Sequence, residues 1–222
     1  GTLGASAAWE GSGYLGGDAL SVNGTAGSHV LVADAASLRF AASDDYTVSL
    51  WARVESLPNS WQSMLWKGNF SNRYSIFLTP ANQIQFAAGS NPFNSPAAIA
   101  VGSWQHIVAV QEAGHPTKKR RLYVDGVEVA SSATAQPADA PGDLYIGSRR
   151  ADGYEAFAGD LDEVRIYNRA LSDTEILTLT NQTTGPAAPV AAAGADQTVT
   201  DTDGTGFEEV GLDEVRRIAL GE

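Results

Sequence analysis

Cysteine is absent from the 222 residues, which excludes disulfides, thiolate metal sites and thiol nucleophiles and leaves the redox compartment unmarked. No apolar run approaches the ~18 residues that a membrane span requires. The opening GTLGASAAWEGSG also lacks a basic region followed by a hydrophobic stretch. The expectation is that any export signal has already been removed. Positive charge is scarce: 14 Lys and Arg stand against 26 Asp and Glu, a formal charge of -12. A general attraction to nucleic acid or to an anionic membrane is therefore not expected, and insertion into a membrane is not expected either. The acidic balance suits solubility and divalent cations. The length fits one all-β domain with a sizeable core plus a tail, and is tight for two full domains.

What the chain does have is a succession of short alternating segments separated by turn residues, up to about residue 168. GDALSVNG and HVLVAD read as an opening hairpin around Asn23-Gly24. DYTVSLWARV follows, with Tyr46, Val48 and Leu50 on one face and Thr47, Ser49 and Trp51 on the other. SMLWKGN, RYSIFLTP and QIQFAAGS predict a meander whose PANQ turn uses the fixed φ of Pro80 and the left-handed tolerance of Asn82. SWQHIVAVQEAG, RRLYVDGVEVAS, GDLYIGSRR and GDLDEVRIYN give four more strand segments, and Asp125-Gly126 predicts a tight hairpin inside the second. At least nine strands point to two stacked antiparallel sheets.

After the last strand the texture changes. Ser172 followed by Glu175 is a capping-box pattern that predicts a helix of about two turns. The domain is expected to span 1–182, followed by a Pro/Ala/Gly linker at 183–195 that is unable to bury a core. Residues 196–222 resemble the opening strand of a polycystic-kidney-disease-type, Ig-like repeat, a common neighbour in secreted multi-module proteins, but are too short to complete one. DTDGTGFEEVGL within this tail has the look of a calcium loop, yet its twelfth position is Leu212 and not the bidentate Glu that such a loop needs. LDEVR occurs at 161–165 and again at 212–216, which is too short to establish a repeat.

In order and spacing, YTVSLWARV, SWQHIVAVQEAG, RRLYVDGVEVA, LYIGSRR and FAGDLDEVRIYNRALSDTEI resemble the concanavalin A-like jelly roll in its laminin-G-like bacterial form, across about residues 9–179. The resemblance implies an all-β, two-sheet antiparallel sandwich with a short C-terminal helix. It also implies a secreted or cell-surface setting and, as the leading reading, a non-catalytic carbohydrate-binding module of a larger polysaccharide-active protein. Its partners would be a polysaccharide or oligosaccharide and other modules of the same polypeptide, with the domain itself a monomer. An adhesion or protein-interaction domain is one alternative, and a glycoside hydrolase or polysaccharide lyase with an unrecognised site is another. Glycan binding predicts exposed aromatics on a concave face, adhesion a flat apolar patch, and catalysis paired carboxylates deep in a groove.

The chemistry-bearing residues sort against those alternatives. On a regular strand Asp160, Asp162 and Val164 would share one face, and two carboxylates on one side are what glycoside hydrolysis uses. The Glu-x-Asp-x-x-Glu-like strand of laminarinase-type relatives is not reproduced, and His29, His106 and His115 lack a Gly-x-Ser-x-Gly nucleophile motif. Relatives that resemble this chain clasp a structural Ca2+ with an Asp of the final strand and the turn of the opening hairpin, positions that map to Asp162, Asn23 and Gly24. The plainer reading is that Asp162 hydrogen-bonds backbone amides of the first hairpin.

For sugar stacking, Trp51 and Trp104 fall within strand motifs and are expected in the core. Trp61, Trp66, Tyr74, Phe93 and Tyr154 are expected in or beside loops. Asn69, Arg73, Arg149 and Arg150 would supply polar partners for hydroxyl or acidic groups. TKKRR at 117–121 reads either as an anion contact or as a charged, solvated edge strand.

Overall fold

The structure, a computed structural model, describes residues 1–182 apart from 12, 58, 59, 70–72, 90, 139 and 140, with the side chain of Arg73 also outside the description. The linker, the calcium-like loop and the second LDEVR lie outside the described residues. Among the described residues fourteen strands run in the order β1 (Thr2–Leu3), β2 (Ala7–Glu10), β3 (Ala19–Asn23), β4 (Val30–Val32), β5 (Tyr46–Val54), β6 (Gln62–Gly68), β7 (Arg73–Leu78), β8 (Gln83–Ala88), β9 (Phe93–Ala98), β10 (Trp104–Gln111), β11 (Arg120–Val124), β12 (Val127–Ser132), β13 (Leu144–Ile146) and β14 (Ala158–Tyr167), followed by α1 (Asp173–Thr180). They build two seven-stranded antiparallel sheets. The first is ordered β1-β4-β13-β6-β7-β8-β9 and the second β12-β11-β10-β5-β14-β3-β2.

The period-two pattern of the strands builds the core between them. Tyr46, Val48, Leu50, Ala52 and Val54 of β5 face Met64, Leu65, Tyr74, Ile76, Leu78, Ile84 and Phe86 of the other sheet. The meander β6-β7-β8 forms as its sequence predicts, and Asn82 takes the left-handed φ of 62° at its turn. β11 and β12 close on Asp125 and Gly126 at φ 50° and 78°, the pair of left-handed residues that a type I′ turn demands.

The opening hairpin does not exist. β3 pairs with β14 and β2 in the second sheet, while β4 pairs with β1 and β13 in the first, so residues 24–29 cross from one sheet to the other. Val22 and Val30 both point into the core from opposite sides of that crossing, a placement two paired neighbours in one sheet could not give them.

A second correction concerns β14. Its pairing with β5 shifts between Asp162 and Arg165, and Glu163 sits at φ 49°, a bulge that adds one residue. Val164 consequently turns into the core while Asp160 and Asp162 stay outside, so the three do not share a face.

α1 starts on the predicted capping box. Ser172 Oγ accepts from the Glu175 amide and the Glu175 carboxylate accepts from the Ser172 amide. The helix lies on the outer face of the second sheet, where Ile176 and Leu171 join Val108, Val110, Tyr123 and Tyr167 in a satellite core. The same outer face carries Trp51, which is buried, as expected, but outside the inter-sheet core. Tyr14 stacks on it at 3.4 Å from one side and His106 at 4.9 Å lies alongside. Trp104 is half-buried, edge-on to Tyr14 and under the guanidinium of Arg53.

Candidate ligand-binding face

With helix α1 and the Tyr14 loop over the second sheet, the exposed aromatic rings among the described residues, Trp61 and Tyr154, lie toward the outer face of the first sheet. Past the register shift between Ser63 and Leu65, alternation from the inward Leu65 aims Trp66 of β6 outward, and alternation from Tyr74 and Ile76 does the same for Phe77 of β7. Trp61, just before β6, meets Phe77 edge-on at 5.8 Å, and Trp66 meets the same ring edge-on at 5.8 Å. The Arg149 guanidinium lies 4.3 Å above Trp66 and 5.3 Å from Tyr154. A continuous run therefore leads from Trp61 through Phe77, Trp66 and Arg149 to Tyr154. Its ends are open, with Trp61 40% and Tyr154 52% exposed, while Trp66 and Phe77 in the middle are buried.

The backbone explains why two segments distant in sequence converge. The Ser63 amide donates to the Glu155 carbonyl at 2.7 Å, and Ala156 bridges to Ser63, so the loop 149–157 is laced to the start of β6. Gly153, at φ 80°, presses on the crossing turn, where a Cβ would stand 2.5 Å from the Ala26 nitrogen. Arg149 is fixed by Glu155 at 2.9 Å as well as by its two rings. Arg150, beside Asp152 at 2.8 Å, lies 5.8 Å from Tyr154 on the exposed side of the loop.

Of the residues singled out from sequence, Trp61, Trp66, Arg149, Arg150 and Tyr154 thus come together, and Asn69 is exposed just beyond β6. Tyr74 does not join them. It is fully buried between the sheets against Phe40 and Tyr46, and its hydroxyl donates to the Leu38 carbonyl at 3.1 Å, so it is a core ring. Arg73 opens β7, and its side chain lies outside the described part of the structure. Trp66 lies in a strand, not a loop, and its indole face is already taken by Arg149, which makes it a platform for that cation. Phe93 packs against Phe86 and the core. Lys67, next to Trp66 in sequence, points inward and pairs with Asp34 at 3.0 Å. The Arg39 hydrogen bond, with Lys67 behind it, holds the Asp34 carboxyl well below its usual range. Sequence reasoning missed Phe77 and Glu155. Phe77 follows the inward Ile76 by one residue, which alternation turns outward, but no local signal marks Glu155.

The carboxylates of β14 are occupied elsewhere. Asp160 accepts from Arg53 at 2.8 Å. Asp162, 5% exposed, accepts the Tyr14 amide at 2.7 Å and the Glu163 amide at 2.9 Å. They serve as a salt-bridge partner and as the anchor of the Tyr14 loop. The proposed calcium ligands do not fit one ion. Asn23 stands opposite Ala158, four residues before Asp162, which at the strand rise puts the turn and the carboxylate about 13 Å apart. Asn23 turns its side-chain oxygen to the amide and hydroxyl of Thr25. Among the described residues no group of three or more His, Asp or Glu gathers as metal ligands do.

The basic run is likewise spoken for. Lys118 pairs with Glu128 and Arg121 with Glu112, both at 2.7 Å, and Arg120 is buried. Its strand, β11, lies inside the sheet, with β12 at the edge. His106 is a structural histidine between Ser49 at 2.8 Å and Thr180 at 2.7 Å. A cavity of about 570 Å³ lined by Leu38, Phe40, Asp44, Asp45, Asn168 and Arg169 includes none of the aromatic run.

The family model of the concanavalin A-like lectin/glucanases superfamily, in its laminin-G form, matches residues 23–177. The chain belongs to that family. No curated protein matches the sequence. Among solved structures, the binding domain of Paraclostridial Mosquitocidal Protein 1 is similar with a TM-score of 0.66 at 17% identity, over 81% of this chain and 46% of that one. The chain thus spans about half of that domain's length. Domain 4 of AbnA, a GH43 extracellular arabinanase from Geobacillus stearothermophilus, solved with arabinotriose, gives 0.60 at 23% identity, over 80% of this chain and 82% of that one. A putative carbohydrate binding protein from Bacteroides ovatus gives 0.56 at 17% identity, covering 73% and 47%. At these identities the likeness is one of fold.

Proposed function

We propose that residues 1–182 form a non-catalytic carbohydrate-binding module of a larger secreted, polysaccharide-active protein, and that the outer face of the first sheet takes the glycan. The observation that carries this reading is the pair of exposed rings, Trp61 and Tyr154, at the two ends of one aromatic run with a fixed guanidinium and carboxylate between them. Pyranose and furanose rings offer C–H faces to aromatic side chains and hydroxyls to charged hydrogen-bonding groups, and this face supplies both. The engagement of Asp160 with Arg53 and of Asp162 with backbone amides supports a binding role over hydrolysis. A neighbour in the same fold that is one domain of an extracellular arabinanase, solved with arabinotriose, supports the substrate class.

The test is titration calorimetry against a panel of neutral and acidic oligosaccharides, arabino-oligosaccharides first. Stacking is worth roughly 1–1.5 kcal/mol per ring, so Trp61→Ala and Tyr154→Ala should each weaken binding about tenfold with the fold intact. Binding by both variants at wild-type strength would move the site elsewhere. No binding to any glycan would favour the adhesion reading.

A further inference from the structure

At the end of the second sheet three strands place polar side chains in one inward-facing row: Tyr46 opens β5, Gln111 closes β10 opposite it, and Arg120 opens β11 opposite Gln111. Gln136, from the chain after β12, comes down on the row, its amide donating to Gln111 Oε1 at 3.2 Å while its Oε1 accepts from the Tyr46 hydroxyl. Arg120 is 1% exposed, its guanidinium wedged over Phe86 and Phe93, with Nε on the Thr134 carbonyl at 2.6 Å and Nη2 on Ser132 Oγ at 3.4 Å. Gln111 and Gln136 are as deeply buried. Three atoms of this cluster have no partner, Arg120 Nη1, Gln111 Nε2 and Gln136 Nε2, and all three are donors.

Buried donors in folded proteins are almost always satisfied, and a buried charge needs a counter-charge. Among the described residues no carboxylate pairs with Arg120. Turning either glutamine amide over changes which atom is orphaned, but not the excess of N–H groups over acceptors. A water molecule would meet the donors, and could donate to the second lone pair of an acceptor here, but it brings no counter-charge to Arg120. An acceptor without hydrogens and with a negative charge fits on both counts.

We propose that Arg120 Nη1, Gln111 Nε2 and Gln136 Nε2 form a buried site for a small monovalent anion, chloride in the first instance, that ties the chain after β12 to the end of the sheet. The anion binds only the folded state, so stability rises with the logarithm of its concentration once that exceeds Kd.

The test compares thermal midpoints of the full chain in sodium chloride and in sodium gluconate at equal ionic strength and pH. A midpoint higher in chloride, by on the order of 5 °C at about tenfold above Kd, is expected. Arg120→Met should remove the difference. Because that variant alters a buried position and may not fold, Gln136→Leu serves as a milder second change that weakens the chloride response. Bromide-soaked crystals of the wild type should show an anomalous peak within hydrogen-bond reach of Arg120 Nη1. Asp139→Asn, the nearest carboxylate further along the chain from Gln136, should leave the chloride response in place. Equal midpoints in the two salts with no bromide peak would overturn the proposal and leave water as the partner. Equal midpoints together with a loss on Asp139→Asn matching that of Arg120→Met would overturn it in favour of an internal ion pair.

Discussion

Ile176 is the residue on which closure of the second sheet's outer face depends. It is completely buried among Val108, Val110, Tyr123, Tyr167 and Leu171, whereas Leu177 beside it on α1 is 49% exposed. Cutting a buried Ile back to Ala costs about 2–5 kcal/mol, the lost transfer energy of three carbons plus that of the cavity left behind. A single helix on the periphery settles onto such a gap more readily than two sheets do, which places Ile176→Ala near the lower end, about 2–3 kcal/mol. For a domain of this size each kcal/mol moves Tm by roughly 2–4 °C, so a fall of about 4–12 °C is expected. Leu177→Ala, at an exposed site, should stay within about 0.5 kcal/mol. Urea unfolding followed by tryptophan fluorescence, with Tm from calorimetry, measures both; the slope m should not change in either variant. If the two variants cannot be told apart, or if Ile176→Ala lowers m and not the midpoint, the helix is no part of the cooperative unit. The second sheet's outer face is then open, and the assignment of the ligand to the first sheet loses its structural reason.

Three further outcomes follow from the same geometry. Burial first, and Arg165 second, hold folded His106 down to about 3. The unfolded side chain titrates near 6.5, so it takes up the proton first; stability present above about pH 6.5 is lost as pH falls, by up to about 1.4 kcal/mol per unit. His106→Gln should flatten the midpoint between pH 6.5 and 5, and equal pH profiles in variant and wild type would refute the linkage. Asp162→Ala should cost about 1–3 kcal/mol by orphaning the Tyr14 and Glu163 amides, with a change in Trp51 fluorescence as Tyr14 lifts away. A chelator-induced fall in midpoint that this variant abolishes would assign an ion to Asp162 without the Asn23-Gly24 turn. A chain ending at Gln182 should keep Tm within a few degrees, and a larger loss would show the tail contributing to the domain.

Periodicity and turn chemistry were legible along most of the chain: the two faces of β5, the β6-β7-β8 meander, the Asp125-Gly126 turn and the Ser172-Glu175 cap are each set by a few neighbouring residues. What failed was non-local. Whether two adjacent strands such as β3 and β4 pair or part into different sheets depends on partners more than a hundred residues away, β14 and β13, and the Asn-Gly turn between them is compatible with either. The bulge at Glu163 defeated the assignment of faces on β14, because one added residue reverses everything after it. At the candidate face, exposed rings in the loops were recoverable from composition. The inward turn of Tyr74 and the use of Trp66 as a bed for Arg149 required the register of β6 against β7 and β13.

The position of α1 has a consequence for how the domain is leashed. Its last turn is held to the second sheet by Thr180 on His106 and by the Gln182 side chain, which accepts from Arg165 at 3.4 Å. The described residues therefore end, at Gln182, on the side opposite Trp61 and Tyr154. Fixing the domain to a support through that end is therefore expected to leave the aromatic face open, so immobilised and free protein should bind a glycan with equal affinity if the proposed face is the right one.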